Sequence, residues 1–187
     1  MDFLAIAAHL KAVPRQGWIE KLSIKNPESV ADHTFSMAII GMSLSDSQNY
    51  NTEKILKMIL LHDLAESITG DFTPQQKSEH EKFILENNAF DKILNYLPEN
   101  LRKQYFSIWE EYQKNDSKEA NFVHQIDKLE MALQAKIYSK QIKLTDDLKP
   151  FFDSAKREIK DPNLLKLFNQ ICNNQIIKKC QKVQKRN

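Results

Sequence analysis

In Ile55-Leu56-Lys57-Met58-Ile59-Leu60-Leu61-His62-Asp63, an apolar run typical of a buried helix is followed directly by an imidazole and a carboxylate. Buried ionisable groups cost free energy unless they are paired or bind a metal. Two adjacent ones therefore suggest a metal site. A further histidine lies upstream and a further aspartate downstream. We predict a divalent-metal site with two imidazole and two carboxylate ligands, namely His33, His62, Asp63 and Asp127.

An all-α fold is predicted, a bundle of about eight helices in a single domain over residues 1–187. The length suits one domain, only three glycines occur, and no strand-like alternation is present. Five of the six prolines are spaced as helix punctuation. The predicted helices cover 2–11, 28–47, 52–67, 75–94, 99–114, 116–140, 146–159 and 162–179, with a loop over 13–27 and a turn over 69–74.

Composition excludes several classes of protein. With 41% hydrophobic and 28% charged residues, the chain is predicted to be neither disordered nor membrane-spanning. A net charge of +2 implies no broad surface for nucleic acid, and the basic tail over 181–187 is interpreted as solvated. Cys172 and Cys180 suit a reduced protein, and the N-terminus lacks a signal-peptide pattern. We expect a cytoplasmic protein with no membrane partner.

Helical spacing extends the predicted site. His62 and Asp63 lie four and three positions before Glu66, so all three would neighbour one another on one continuous helix. A polar stripe on the 116–140 helix contains Asp127, Glu130 and Gln134. Mixed imidazole and carboxylate ligands suit Mn, Co, Fe, Ni or Zn. Four such ligands would leave coordination positions for water or a phosphate oxygen.

Taken alone, the His-Asp pair fits a hydrogen-bonded core pair as well as a metal site. The wider pattern resembles the HD-domain metal-dependent phosphohydrolases, whose motif is H…HD…D. Four segments carry a closer resemblance to the HD-domain 5′-deoxynucleotidases: residues 11–18 (KAVPRQGW), 27–33 (PESVADH), 61–71 (LHDLAESITGD) and 127–135 (DKLEMALQA). They fall within residues 11–135. The predicted C-terminal helices over 146–180 carry no matching motif.

The resemblance implies the chemistry and its residues. The substrate would be a nucleoside 5′-monophosphate, hydrolysed to nucleoside and phosphate with one divalent metal ion, and the protein would be a homodimer. Glu66 is implied to belong to the acid–base apparatus, and Asp71 to orient or activate the attacking water. Arg15 would bind the phosphate, since a guanidinium suits that group. Trp18 would stack on the base or cover the site, or else fill the core.

Five further residues are assigned roles on weaker grounds. Lys77 would supply a second phosphate contact or be an exposed lysine. Glu130 and Gln134 would line the cleft or hydrogen-bond to the metal ligands. Capping explains Glu28 and Ser29 as well as catalysis does.

Two alternative functions stay open. The first is another HD phosphohydrolase, acting on a diphosphate, a triphosphate or a signalling nucleotide. Guanosine tetraphosphate hydrolases carry an acidic pair after the HD motif, whereas Ser67 follows Glu66 here. Cyclic-dinucleotide phosphodiesterases use extra histidines, which are not found in suitable places, and triphosphohydrolases are usually much longer chains. The second alternative is a non-catalytic HD binding module.

Overall fold

A computed structural model describes residues 2–140 and 146–173. Over these residues the chain forms ten α-helices and no strand, which confirms the all-α prediction. None of these helices has both the length and the hydrophobicity to cross a bilayer. The helices are α1 Asp2–His9, α2 Gln16–Leu22, α3 Val30–Ser45, α4 Thr52–His62, α5 Glu66–Thr69, α6 Glu79–Leu94, α7 Glu99–Lys114, α8 Lys118–Tyr138, α9 Lys149–Glu158 and α10 Pro162–Cys172, with 3₁₀ turns at Leu10–Ala12 and Asp146–Leu148.

The chain divides into two compact units, residues 1–123 and 124–187. In the first unit α4 packs against α3 and α7, and α6 packs against α1, α5 and α7. Its core includes the ring of Phe90 stacked on Trp109, with centroids 4.7 Å apart. In the second unit Gln125 Oε1 accepts from the backbone N–H groups of Lys160 and Asp161 at 2.6 and 2.7 Å. The predicted single-domain organisation stays a prediction, and the basic tail over 181–187 lies outside the described residues.

Local signals fix several helix ends. Ser29 and Asp32 form a capping box at the start of α3, and Ser78 and Glu81 form another at α6. The α6 helix therefore begins at residue 79, four residues later than predicted. Asp161 caps α10 as predicted, since its Oδ1 accepts from the N–H groups of residues 163 and 164.

The predicted loop over 13–27 was wrong, because it contains the α2 helix. The signal that starts this helix is not local. Asp71, 55 residues further along the chain, accepts a hydrogen bond from the first helical N–H group, that of Gln16, at 2.8 Å. A sequence window around residue 16 contains no such cap. An isolated bridge between Pro14 and Ser29 holds the start of this segment beside α3.

The prediction of one helix over 52–67 was also wrong. The α4 helix ends at His62, and Asp63 leaves the helical conformation with φ −107° and ψ 11°. A tight turn follows, and the short α5 helix begins at Glu66. His62, Asp63 and Glu66 therefore do not lie on one continuous helix. This break and the missed α2 account for ten helices in place of about eight.

Candidate metal centre and active site

His62 is the last residue of α4 and is buried. Its Nδ1 atom lies 2.6 Å from the carbonyl oxygen of Ile59. A carbonyl oxygen only accepts hydrogen bonds, so Nδ1 carries a proton, and Nε2 is the ring nitrogen that can offer a lone pair to a metal. Fixing the tautomer through a backbone carbonyl is how proteins prepare a metal-binding histidine.

Asp63 directs its carboxylate back toward His62 Nε2. Its Oδ2 atom lies 3.0 Å from His62 Nε2 and 3.9 Å from His33 Nε2. His33 comes from α3 and is completely buried, and its ring centroid lies 5.8 Å from that of His62. One ligand atom from each of the three residues lies within 4.8 Å of the other two. Three of the four predicted metal ligands are thus brought together.

The donor atoms fit a metal ion. Both His62 Nε2 and Asp63 Oδ2 are buried, and within the described part of the chain neither makes a hydrogen bond of acceptable geometry. At 3.0 Å these two atoms attract each other only when a proton or a metal ion lies between them. Burial raises the pKa of Asp63, but the charges of His62, Arg15 and His33 outweigh it and hold that pKa well below its usual range. Asp63 is therefore ionised, as a metal-binding carboxylate must be.

Glu66 opens α5 and is only 1% exposed. Its Oε1 atom lies 3.1 Å from Lys82 Nζ, whereas its buried Oε2 makes no hydrogen bond to any described residue. Burial raises the pKa of Glu66 well above its ordinary value, the carboxylates of Asp63 and Asp71 add to the rise, and Lys82 opposes it. A buried carboxyl with a raised pKa is typical of an acid–base group.

Arg15 and Asp71 flank this centre. Arg15 Nη1 lies 3.7 Å from Asp63 Oδ2, and the Arg15 side chain is 18% exposed. The Asp71 carboxylate lies close enough to Glu66 to raise the pKa of Glu66. Oδ2 of Asp71 also caps α2, by accepting a hydrogen bond from the Gln16 N–H group. The predicted phosphate-binding arginine thus directly precedes α2, and the predicted water-orienting aspartate caps that helix.

Trp18 and Lys77 are placed differently. Trp18 is 2% exposed, and its indole N–H donates to Glu28 Oε1 at 2.8 Å. That position favours the core-filling role that the sequence left open. Lys77 lies before α6, and its Nζ atom is 4.8 Å from the centroid of the Phe72 ring. Substrate contacts by either residue stay predictions.

The remaining predicted residues belong to the unit over 124–187. Asp127 Oδ2 accepts a hydrogen bond from Lys128 Nζ at 2.8 Å, Glu130 is buried, and Gln134 is half-buried. The roles of Asp127 as a fourth ligand, and of Glu130 and Gln134 beside the ligands, stay predictions.

Two residues beside Glu66 were missed by sequence reasoning. Lys82 and Glu86 lie one turn apart on α6, with Nζ and Oε1 separated by 3.3 Å. The signal was a lysine and a glutamate at four-residue spacing around the apolar run 83–85. An (i, i+4) pair is common on exposed helices, so spacing alone did not distinguish this one.

Comparison with known proteins identifies the family. The HD domain profile matches residues 7–166. The human protein "5′-deoxynucleotidase HDDC2" is 37% identical over 172 residues, which cover 91% of this chain and 83% of that protein. The "5′-deoxynucleotidase hdd1" of Schizosaccharomyces pombe is 40% identical over 156 residues, covering 81% of this chain and 78% of the relative.

The chain belongs to the HD-domain family. The predicted family resemblance is therefore confirmed. This HD-domain chain also resembles a solved structure, a conserved hypothetical protein from Pyrococcus furiosus. That protein is 28% identical with a TM-score of 0.72, and the match covers 92% of this chain and 98% of the other.

Proposed function

We propose that this HD-domain protein is a metal-dependent phosphohydrolase that removes phosphate from deoxynucleoside 5′-monophosphates. The observation that carries the proposal is the convergence of His33, His62 and Asp63, with one ligand atom of each within 4.8 Å, beside a buried acid–base carboxyl at Glu66. The names of the human and fission-yeast relatives support the choice of a 5′-deoxynucleotidase among the HD phosphohydrolases.

The proposed ligand set is His33, His62 and Asp63, completed by Asp127 as the family motif implies. A divalent ion bound there would polarise a phosphoryl oxygen. Imidazole and carboxylate donors suit Co, Mn, Ni, Fe or Zn better than they suit Mg. Glu130 and Gln134 are proposed to hydrogen-bond around the ligands.

The reaction follows from the placement of the charged side chains. Arg15 neutralises the phosphate, and Lys77 is proposed as a second phosphate contact. Water held between Glu66 and Asp71 attacks phosphorus in line while the bond from phosphorus to the nucleoside 5′-oxygen breaks. The proton that the water loses passes to this acidic pair, and the leaving oxygen is protonated through water.

The test is release of phosphate or pyrophosphate from a panel of deoxynucleoside and ribonucleoside 5′-monophosphates, 5′-diphosphates and 5′-triphosphates. Metal-stripped protein receives Mn, Co, Ni, Fe, Zn or Mg, and Asp63→Asn is assayed beside Asp91→Asn, whose carboxylate pairs with Arg102 on the surface. We expect release from deoxynucleoside monophosphates with a transition metal, for wild type and D91N only. Release of pyrophosphate from triphosphates would instead indicate that the protein is another type of HD phosphohydrolase. No product from any nucleotide would favour a non-catalytic module.

Two further features are proposed from the resemblance and the sequence. A homodimer would give twice the chain mass in size-exclusion chromatography with light scattering. Cytoplasmic location would be tested by imaging a tagged chain in its own cell.

A further inference from the structure

Lys82 joins two helices beside the proposed active site. Its ammonium lies 3.1 Å from Glu66 Oε1 at the start of α5 and 3.3 Å from Glu86 Oε1 on its own helix, α6. Burial lowers the pKa of Lys82, but the carboxylates of Glu66 and Glu86 raise it by more, so the side chain is a cation.

The ammonium uses only one oxygen of Glu66. The other oxygen, Oε2, is buried and makes no hydrogen bond within the described residues. A carboxylate offers about four acceptor positions, and leaving one oxygen unsatisfied in the interior is costly. With Oε1 held by Lys82, the carboxyl plane is fixed and Oε2 stays available to another group.

The ion pair of Lys82 and Glu66 differs from an ordinary surface ion pair. Lys103 and Glu99 on α7 have the same four-residue spacing as Lys82 and Glu86, but both of their side chains are more than three-quarters exposed. Glu66 is 1% exposed and Lys82 is 33% exposed. An ion pair whose carboxylate is buried is a weak source of stability, because the carboxylate loses its hydration. Its presence beside metal-binding residues points to a role in the chemistry.

We infer that Lys82 is a positioning residue for the hydrolysis, holding Glu66 through Oε1 so that Oε2 faces the attacking water, with Glu86 anchoring the ammonium. This inference rests on the proposed function, since it needs Glu66 to act on the water. It assigns Lys82 no contact with the substrate.

The test measures kcat and KM for phosphate release by Lys82→Met, Lys82→Arg and the matched surface variant Lys103→Met. We expect K82M to lower kcat by roughly 10- to 100-fold, as loss of outer-shell partners does, with KM changed little. K82R should recover part of that loss, because it restores a cation next to Oε1. K103M should match wild type. The same K82M change in a Glu66→Gln background should lower kcat no further, because its effect passes through Glu66.

Other results would overturn the inference. A rise in KM that persists in the E66Q background would make Lys82 a direct phosphate contact. Unchanged kcat in K82M would show that Glu66 needs no such support. If K82M does not fold, Glu86→Gln replaces it: loss of the anchor should lower kcat by less than loss of Glu66 does, and unchanged kcat would again contradict the inference. An inactive wild type would instead overturn the proposed function and remove the basis for this role.

Discussion

The Oδ2 atom of Asp63 lies 3.0 Å from the Nε2 atom of His62, although the two residues are consecutive in the chain. In a continuous α-helix consecutive side chains point about 100° apart. The two groups converge because α4 ends at His62, and the next residue adopts φ −107° and ψ 11°. The helix end is therefore part of the candidate metal centre.

Asp63→Asn should remove most metal affinity while leaving the helices intact. The amide is a weaker ligand than the carboxylate, and the charge that balances the cation is lost. Wild-type protein in metal at 100 times its Kd should gain about 2.7 kcal/mol in free energy of unfolding. The control Asp91→Asn should gain the same. Thermal unfolding with and without metal, together with far-ultraviolet circular dichroism, measures both effects. Equal stabilisation of D63N and D91N would remove Asp63 from the ligand set.

Arg15→Lys should weaken substrate use without weakening metal binding. Lysine keeps the charge near Asp63 but loses the planar fork that binds phosphate through two hydrogen bonds. A hydrogen bond to a charged group contributes roughly 1.5–3 kcal/mol, so kcat/KM should fall about 10- to 100-fold. Arg102→Lys, at an exposed ion pair with Asp91, is the matched control. Steady-state kinetics of wild type and both variants measures this effect. Equal kcat/KM values for R15K and wild type would contradict a phosphate contact at Arg15.

The helices that were predicted well are those whose signals are local. Polar caps, proline placement and apolar spacing lie within a few residues of α3, α7 and the start of α10, and these bounds were close to the prediction. The end of α10 was predicted at residue 179, but the helix ends at Cys172. The α2 helix escaped prediction because its cap, Asp71, is distant in sequence and becomes its neighbour only in the folded chain. The break after His62 was missed because the apolar pattern continues through Leu64, and nothing local marks Asp63 as non-helical.

The candidate site, like the helices, was predicted only where the signal lies in the sequence itself. The types of residue in the motif and their order along the chain were enough to predict that His33, His62 and Asp63 come together. The orientation of the groups could not be predicted, since it depends on a helix end and on the carbonyl that fixes the His62 tautomer. Lys82 was missed because its contact with the buried Glu66 is a tertiary property. A surface pair such as Lys103 and Glu99 has the same local spacing.

Ser29→Ala should cost stability and spare catalysis. Ser29 Oγ accepts from the Asp32 N–H group at the start of the helix that carries His33. Loss of such a cap costs about 1 kcal/mol. Ser78→Ala removes the equivalent cap of α6, where Ser78 Oγ accepts from the Glu81 N–H group. Urea unfolding should show similar losses for both, with kcat per folded molecule unchanged. A fall in kcat confined to S29A would give Ser29 a catalytic role instead.

Glu66→Gln should abolish most turnover while keeping the metal, since an acid–base group typically contributes about 10²- to 10⁴-fold to the rate. Metal content measured after dialysis should equal that of wild type. Turnover at the wild-type rate would remove Glu66 from the acid–base apparatus, whatever its burial.

The same variant should also change how the stability of the metal-free protein depends on pH. The pKa of Glu66 is raised in the folded state above its ordinary value of 4.5, chiefly by burial. The folded state therefore holds this proton more tightly than the unfolded chain does. The resulting stabilisation is complete below the unfolded pKa and is lost as pH rises through the folded pKa.

Urea unfolding in chelator from about pH 5 to about pH 8 measures this loss. Wild type should lose free energy of unfolding relative to E66Q by about 1.4 kcal/mol for each unit of pKa difference. Glu53→Gln is the control: hydrogen bonding to Lys57 lowers the pKa of the exposed Glu53, so Glu53 titrates below this pH range and E53Q should give a pH curve parallel to that of wild type. Parallel pH curves for wild type and E66Q would mean that Glu66 titrates alike in the folded and unfolded chains, and burial would then not raise its pKa.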